Sequence, residues 1–304
     1  MQKEKLLFII LFISSLTFSQ KSDKELKAEL YFRKASEILD RTVHNALSQK
    51  LSNEALKYAK KAIELNSKPS RYYSLIGTIY KHLKKNDLGL NNFNIAIKID
   101  STNFSALTGK AMIFENSNQF SLAEKNYLKA LKYDKDPTTI IYNMGLLYSK
   151  WGKIDLSLKC YDEVIKKSPE FTSPYINRGE LKLQLKLYED AISDFNVAIS
   201  LDTINKVSYN NRGLGKFYLK NYNSAISDFE KSISINLGKS FNENYNTDIY
   251  AYNNMANAYL AIGNIKKACE FWNVAIRNGY KYQAEWKELY NIENPIELIK
   301  IHCK

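Results

Sequence analysis

Residues 172–205 read TSPYINRGELKLQLKLYEDAISDFNVAISLDTIN, and residues 206–239 read KVSYNNRGLGKFYLKNYNSAISDFEKSISINLGK. Laid one on the other, Tyr175 falls on Tyr209 and Asn177-Arg178-Gly179 on Asn211-Arg212-Gly213. The second halves align as closely, Ala191 through Phe195 matching Ala225 through Phe229 residue for residue. Within each half the marked residues are spaced by three and four, which puts them on one face of a helix. Two amphipathic helices in 34 residues, joined by a short turn, are what this stretch predicts.

A step of 34 residues carries the same signs along most of the chain. In the second helix of each unit a small residue precedes an aromatic by four, and another small residue follows it by three. The series runs Gly89-Phe93-Ala96, Ala123-Tyr127-Ala130, Ser157-Tyr161-Val164, Ala191-Phe195-Ala198 and Ala225-Phe229-Ser232. The first helix carries Tyr73-Ile76-Gly77-Tyr80, repeated as Leu107-Lys110-Ala111-Phe114, Ile141-Met144-Gly145-Tyr148, Tyr175-Arg178-Gly179-Lys182 and Tyr209-Arg212-Gly213-Lys216. Small residues let two helices approach closely, and the aromatic fills the space beside them. Turns such as Trp151-Gly152-Lys153, Lys186-Leu187-Tyr188 and Ile262-Gly263-Asn264 join the halves.

Five gapless units follow: 70–103, 104–137, 138–171, 172–205 and 206–239. A polar, Asn-rich insert at 240–248 reads as a loop, and a further unit at 249–282 carries Tyr252, Met255-Ala256, Tyr259, Ala268, Trp272 and Ala275. The stretch 24–69 is a degenerate first repeat. Ala55, Ala62 and Ser67 fit its second helix, whereas Tyr31, Lys34-Ala35 and Ile38 fit the first only if about eight residues are inserted after them. One long first helix without an insertion is the alternative. At the other end, Trp286 and Leu289-Tyr290 begin a unit that has no second half, so 283–304 reads as a C-terminal capping helix over the last open face.

These residues resemble the tetratricopeptide repeat family, whose 34-residue pattern sets an aromatic, Leu-Gly, Tyr, Ala, Phe, Ala and Pro at fixed offsets. The resemblance implies an all-α fold, a right-handed α-solenoid of helix-turn-helix repeats, seven units long, with its first helices lining a concave groove. It implies a non-catalytic scaffold that binds a protein or peptide in that groove. Counted from each unit's first residue, positions 2, 5, 6, 9, 12 and 13 of the first helix would face it. Position 6 reads Asn143, Asn177, Asn211 and Asn254 in four units; Asn210 and Asn253 stand at position 5 and Asn257 at position 9. Tyr142, Phe217, Tyr218 and Tyr250 join them.

An Asn amide both donates and accepts, so a row of them can bond the backbone of an extended peptide. Each such bond nets about 0.5–1.5 kcal/mol, so the row needs help from the aromatics to reach micromolar binding, roughly 8 kcal/mol. The competing reading is structural, with each Asn bonding its neighbours in the stack. Arg178 and Arg212 occur in the only two clear units that also hold Asp194 and Asp228, which points to ion pairs between helices.

Chemistry is not expected. The three His, His44, His82 and His302, lie at no metal-ligand spacing to one another or to a Cys. No phosphate-binding Gly loop is present, and neither metal nor cofactor is implied. Cys269 and Cys303 would meet if the cap folds back on the last repeat, giving a disulfide; reduced, buried thiols are the alternative.

Residues 1–19 read as a cleaved signal peptide: Lys3 and Lys5, an apolar run from Leu6 to Leu16, then Thr17-Phe18-Ser19 before Gln20. The run is too short to span a bilayer, and no later segment is apolar enough, so an exported protein of the periplasm, outer envelope or extracellular space is expected. Removing 1–19 takes the formal charge from +12 to +11. The Lys residues are spread along the chain with no basic block, so nucleic acid is not an expected partner. Attachment to an anionic envelope polymer through the basic exterior is the alternative to groove binding. Salt would weaken the first far more than the second.

Overall fold

The structure is a computed structural model and describes residues 22–41, 48–235, 247–282, 287 and 294–303. The expected signal peptide, residues 240–246 of the insert, and Trp286, Leu289 and Tyr290 of the expected cap lie outside the described residues. The described residues form fifteen helices and no strand. None of these helices is long and apolar enough to cross a membrane. The chain divides into two compact units, 1–117 and 118–304, and the division falls between the two helices of repeat 104–137.

The first unit holds α1 (Asp23–Asp40), α2 (Ser48–Leu65), α3 (Ser70–His82), α4 (Asn86–Ile99) and α5 (Phe104–Asn116). Helix α1 ends at Asp40 and α2 starts at Ser48, so the degenerate repeat is a pair of helices of 18 residues each, and the expected insertion falls on residues outside those described. A capping box fixes its start: the Ser22 hydroxyl accepts from the Glu25 N–H and the Glu25 carboxylate accepts from the Ser22 N–H. Ala35, Ile38 and Ala55 then pack with Leu75, Ile76 and Ile79.

The second unit holds α6 (Phe120–Leu131), α7 (Thr138–Lys150), α8 (Ile154–Lys167), α9 (Thr172–Gln184), α10 (Tyr188–Leu201), α11 (Lys206–Tyr218), α12 (Tyr222–Ser234), α13 (Thr247–Ala261), α14 (Ile265–Arg277) and α15 (Pro295–His302). Helix α13 starts two residues before the expected boundary, so Thr247 and Asp248 are helical and not part of a loop. Asp248 carries negative charge into the first turn, where the helix dipole favours it, and its carboxylate pairs with the Lys206 ammonium at 2.8 Å.

One contact recurs in four of the pairs: the aromatic of the second helix packs on the glycine of the first, Phe93 on Gly77, Tyr161 on Gly145, Phe195 on Gly179 and Phe229 on Gly213. A Cβ added to Gly145 would stand 2.6 Å from Tyr161 Cε1, and one added to Gly179 would stand 2.8 Å from Phe195 Cε1. Tyr127, Tyr161, Phe195, Phe229 and Trp272 are all essentially fully buried. Where the small residue of the second helix is Ser157, its hydroxyl donates to the Gly145 carbonyl at 2.7 Å, which satisfies it inside the core.

The turns are equally uniform. Lys84, Asn118, Gly152, Lys186, Lys220 and Gly263 occupy the same repeat position, and all have φ between 56 and 80°. After Lys84, Gly152, Lys186, Lys220 and Gly263 the next residue donates its N–H to a carbonyl five residues back, as Lys153 does to Tyr148 at 2.8 Å and Leu187 to Lys182 at 2.8 Å. This closes each first helix with a left-handed cap. A lysine there costs roughly 1–2 kcal/mol relative to glycine, a cost that the packing on both sides offsets.

At the C-terminus, Leu298, Ile299 and Cys303 pack against the core around Met255, Tyr259 and Trp272. The His302 ring stacks on Trp272 with centroids 6.4 Å apart. Cys269 and Cys303 are joined by a disulfide with Cα atoms 5.7 Å apart. Cys160 is free, and burial pushes its thiol up to about 11.

Two outcomes follow from this packing. Gly179→Ala should destabilise the protein by about 1–3 kcal/mol, because the buried Phe195 ring has nowhere to move; denaturant unfolding with tryptophan fluorescence measures it. Breaking the Cys269–Cys303 bridge, which closes a 34-residue loop, should cost at most about 4 kcal/mol. Reductant and Cys303→Ser should lower the unfolding midpoint equally, and reductant should have no further effect on the variant.

Candidate functional site

Positions 5, 6, 9 and 13 of the first helices α7, α9, α11 and α13 lie along one face of the second unit. They carry most of the residues singled out from the sequence. The amides of that row are directed by a chain of hydrogen bonds. Asn177 Nδ2 donates to Tyr142 Oη at 3.0 Å, and Asn211 Nδ2 donates to Glu180 Oε1 at 2.8 Å. Asn210 Nδ2 donates to Asn211 Oδ1 at 3.1 Å, and Asn254 Nδ2 donates to Asn210 Oδ1 at 3.1 Å. Each step between helices runs from one first helix to the preceding one.

This corrects part of the sequence reading. Asn253 and Asn254 are 1% and 6% exposed, so neither amide is presented to a ligand. Asn257 Oδ1 accepts from Trp272 Nε1 at 3.0 Å, and the residue serves its own helix pair. Asn210 is buried as well. Asn210 and Asn254 sit on adjacent first helices close enough to satisfy one another, and a neighbour fixed in place outcompetes water or a ligand; the Asn253 amide is buried without a hydrogen-bond partner among the described residues. Tyr218 stacks on Tyr188 at 4.9 Å, and Tyr250 meets Tyr280 edge-on at 5.9 Å. Asn143, Asn177 and Asn211 keep partial exposure. Among the described residues, the Asn143 side chain makes no hydrogen bond.

The face is not flat. A cavity of about 190 Å³ opens between α7 and α9. Leu146, Ser149 and Lys150 line it from α7, Tyr161 from α8, and Asn177, Glu180, Leu181 and Gln184 from α9. Burial raises the Glu180 carboxyl above the usual carboxylate range, and the Asn211 hydrogen bond opposes the shift. Burial also raises the Tyr142 phenol, with the Asn177 and Ser173 hydrogen bonds opposing.

The sequence reading did not single out Glu180, Lys150, Gln184 or Ser149. They stand at first-helix positions 9, 12 and 13, already assigned to the groove face, but position 9 changes residue type at each repeat: Thr78, Met112, Leu146, Glu180, Leu214, Asn257.

Helix α9 is held in rotation by an ion-pair cluster on its other side. Arg178 grips Asp194 through Nε at 3.0 Å and Nη2 at 2.5 Å, and reaches Asp162 through Nη1 at 2.6 Å. Lys182 adds a second cation to Asp194 at 2.9 Å. The next repeat copies the arrangement with Arg212 and Lys216 on Asp228. These are the inter-helix pairs that the joint occurrence of Arg and Asp implied. Asp194 is only 3% exposed, so Asp194→Asn should destabilise by about 1–3 kcal/mol, less than a fully buried pair because Arg178 and Lys182 keep some water. Chemical denaturation of the variant checks this.

The family model described as "Tetratricopeptide repeat" matches residues 104–137, 138–171, 172–205 and 207–238. No curated protein matches the chain. Among solved structures, Pseudomonas aeruginosa pilF superposes with a TM-score of 0.60 at 15% identity, over 76% of this chain and 96% of that one. A tetratricopeptide repeat protein from Parabacteroides merdae gives 0.58 at 17%, over 88% and 98%. The C-terminal part of a TPR repeat-containing protein from Cytophaga hutchinsonii gives 0.58 at 18%, over 82% and 100%. At these identities the likeness is one of fold, and the fold is that of protein–protein interaction scaffolds, which generally carry no catalysis. The four matched repeats identify residues 104–238 as tetratricopeptide repeats, and three of them share the ring-on-glycine helix pair.

Proposed function

We propose that the protein is an exported scaffold that holds an extended segment of a partner protein against the first-helix face of its second unit. The observation that carries this reading is the cavity between α7 and α9, on a face where Asn177 and Asn211 are already oriented by hydrogen bonds. Asn143, Asn177 and Gln184 border that region and can both donate and accept to a peptide backbone. The export half of the proposal is supported by the leader-like residues 1–19 and by the Cys269–Cys303 disulfide, which suits an oxidising compartment.

A photo-crosslinking amino acid placed at 143, with a control at the exposed Glu163 of α8, tests the binding reading in the full mature chain mixed with envelope proteins of the source cell. Adducts at 143 that map to one partner segment, absent at 163, are expected. Asn177→Ala combined with Gln184→Ala should weaken that capture by about 1–3 kcal/mol, roughly five- to 150-fold. Equal adduct yield at both positions, or capture that disappears with moderate salt, ends the reading in favour of a basic surface that collects polyanions.

A further inference from the structure

We propose that the cavity between α7 and α9 receives a cationic side chain, a lysine ammonium or an arginine guanidinium, carried by the segment held on this face. The proposal rests on the groove reading above and specifies what the groove selects. It starts from an imbalance of charge. Asp194 and Asp228, the other carboxylates deep in this unit, each hold an arginine and a lysine. Glu180 is set in the cavity wall and accepts from Asn211 Nδ2 at 2.8 Å, yet among the described residues no cation pairs with it. A carboxylate withdrawn from water is costly unless a positive group balances it. Here the position facing it is open space.

The size and lining of that space fit a side chain. At about 190 Å³ it has room for about six water volumes, below the range of pockets that bury a whole metabolite. Leu146 and Leu181 offer apolar walls to an alkyl stem. Asn177 and Gln184 bring amide oxygens beside the carboxylate, and the Tyr161 ring adds a π surface to which cations are drawn. Lys150 also lines the cavity, but its ammonium lies over the Phe120 ring at 5.9 Å and makes no ion pair with Glu180. An anionic guest would meet the Glu180 charge at close quarters. A neutral guest would leave the half-buried Glu180 with the Asn211 amide as its partner and no cation.

The test uses the full mature chain and four synthetic Ala/Ser decapeptides that differ only in a central Lys, Arg, norleucine or Glu, with affinities measured at low and high salt. The Lys and Arg peptides should bind at least about tenfold tighter than norleucine. The preference should survive high salt, because a half-buried pair is screened far less than an exposed one. Glu180→Gln, which keeps an acceptor for Asn211, should bring Lys and norleucine together without lowering the unfolding midpoint. Glu180→Lys should transfer the preference to the Glu peptide. Norleucine binding as tightly as Lys, or a Lys preference that persists in Glu180→Gln, overturns the proposal. Four peptides bound alike, and lost together on Asn177→Ala with Gln184→Ala, overturn it while leaving the groove reading intact; no binding by any peptide overturns both.

Discussion

The structure depends on one repeated contact, an aromatic ring pressed onto a glycine. With no side chain at Gly145, Gly179 and Gly213, each first helix comes within ring thickness of its partner, and Tyr161, Phe195 and Phe229 fill the gap. That contact fixes how far apart the helices lie and how each is rotated about its axis. Rotation decides which side chains share the opposite face, so the position of Glu180 follows from the burial of Phe195. The last repeat shows what happens when the ring changes. Trp272 fills the same place but brings an N–H into the core, and a buried indole needs an acceptor. Asn257 supplies it from the residue beside Ala256.

Much of this was legible because it recurs. Ring and small residue repeat with the period, so Phe195 and Ala191 announce a helix pair without any knowledge of neighbours. The Arg178–Asp194 and Arg212–Asp228 pairs were legible for a related reason, since the two partners appear and disappear together. What recurrence could not reveal is whom a polar group addresses. Asn177 and Asn254 occupy the same repeat position, yet one reaches a half-buried tyrosine and the other a buried asparagine. The neighbour at position 5 decides, and it differs between units. Glu180 was missed by the same logic: a residue that occurs once at its position leaves no periodic trace. The early start of α13 left no periodic trace either; Asp248 in its first turn meets Lys206 across 42 residues of chain.

The amide chain has a direction, and one residue sets it. A carboxylate can only accept. Asn211 must therefore turn its NH₂ toward Glu180, which leaves its oxygen for Asn210, which in turn leaves its own oxygen for Asn254. Three asparagines that would be free to flip in isolation are locked by an acid at the end of the line. Of the three, Asn211 keeps partial exposure, so its orientation at the surface is set by folding.

The C-terminal helix bears on how the stack ends. Eight residues are too few for a helix to persist unaided, so α15 is kept in place by what it touches and by the Cys269–Cys303 bond. A solenoid's terminal face is made for stacking on another repeat, and the repeat it expects is one of its own kind. If α15 were released, Trp272 and Tyr259 would be uncovered on a surface shaped to accept a first helix. The disulfide therefore ties the cover over Trp272 to the very helix that carries Trp272, so fraying of α15 is opposed by a covalent bond as well as by packing.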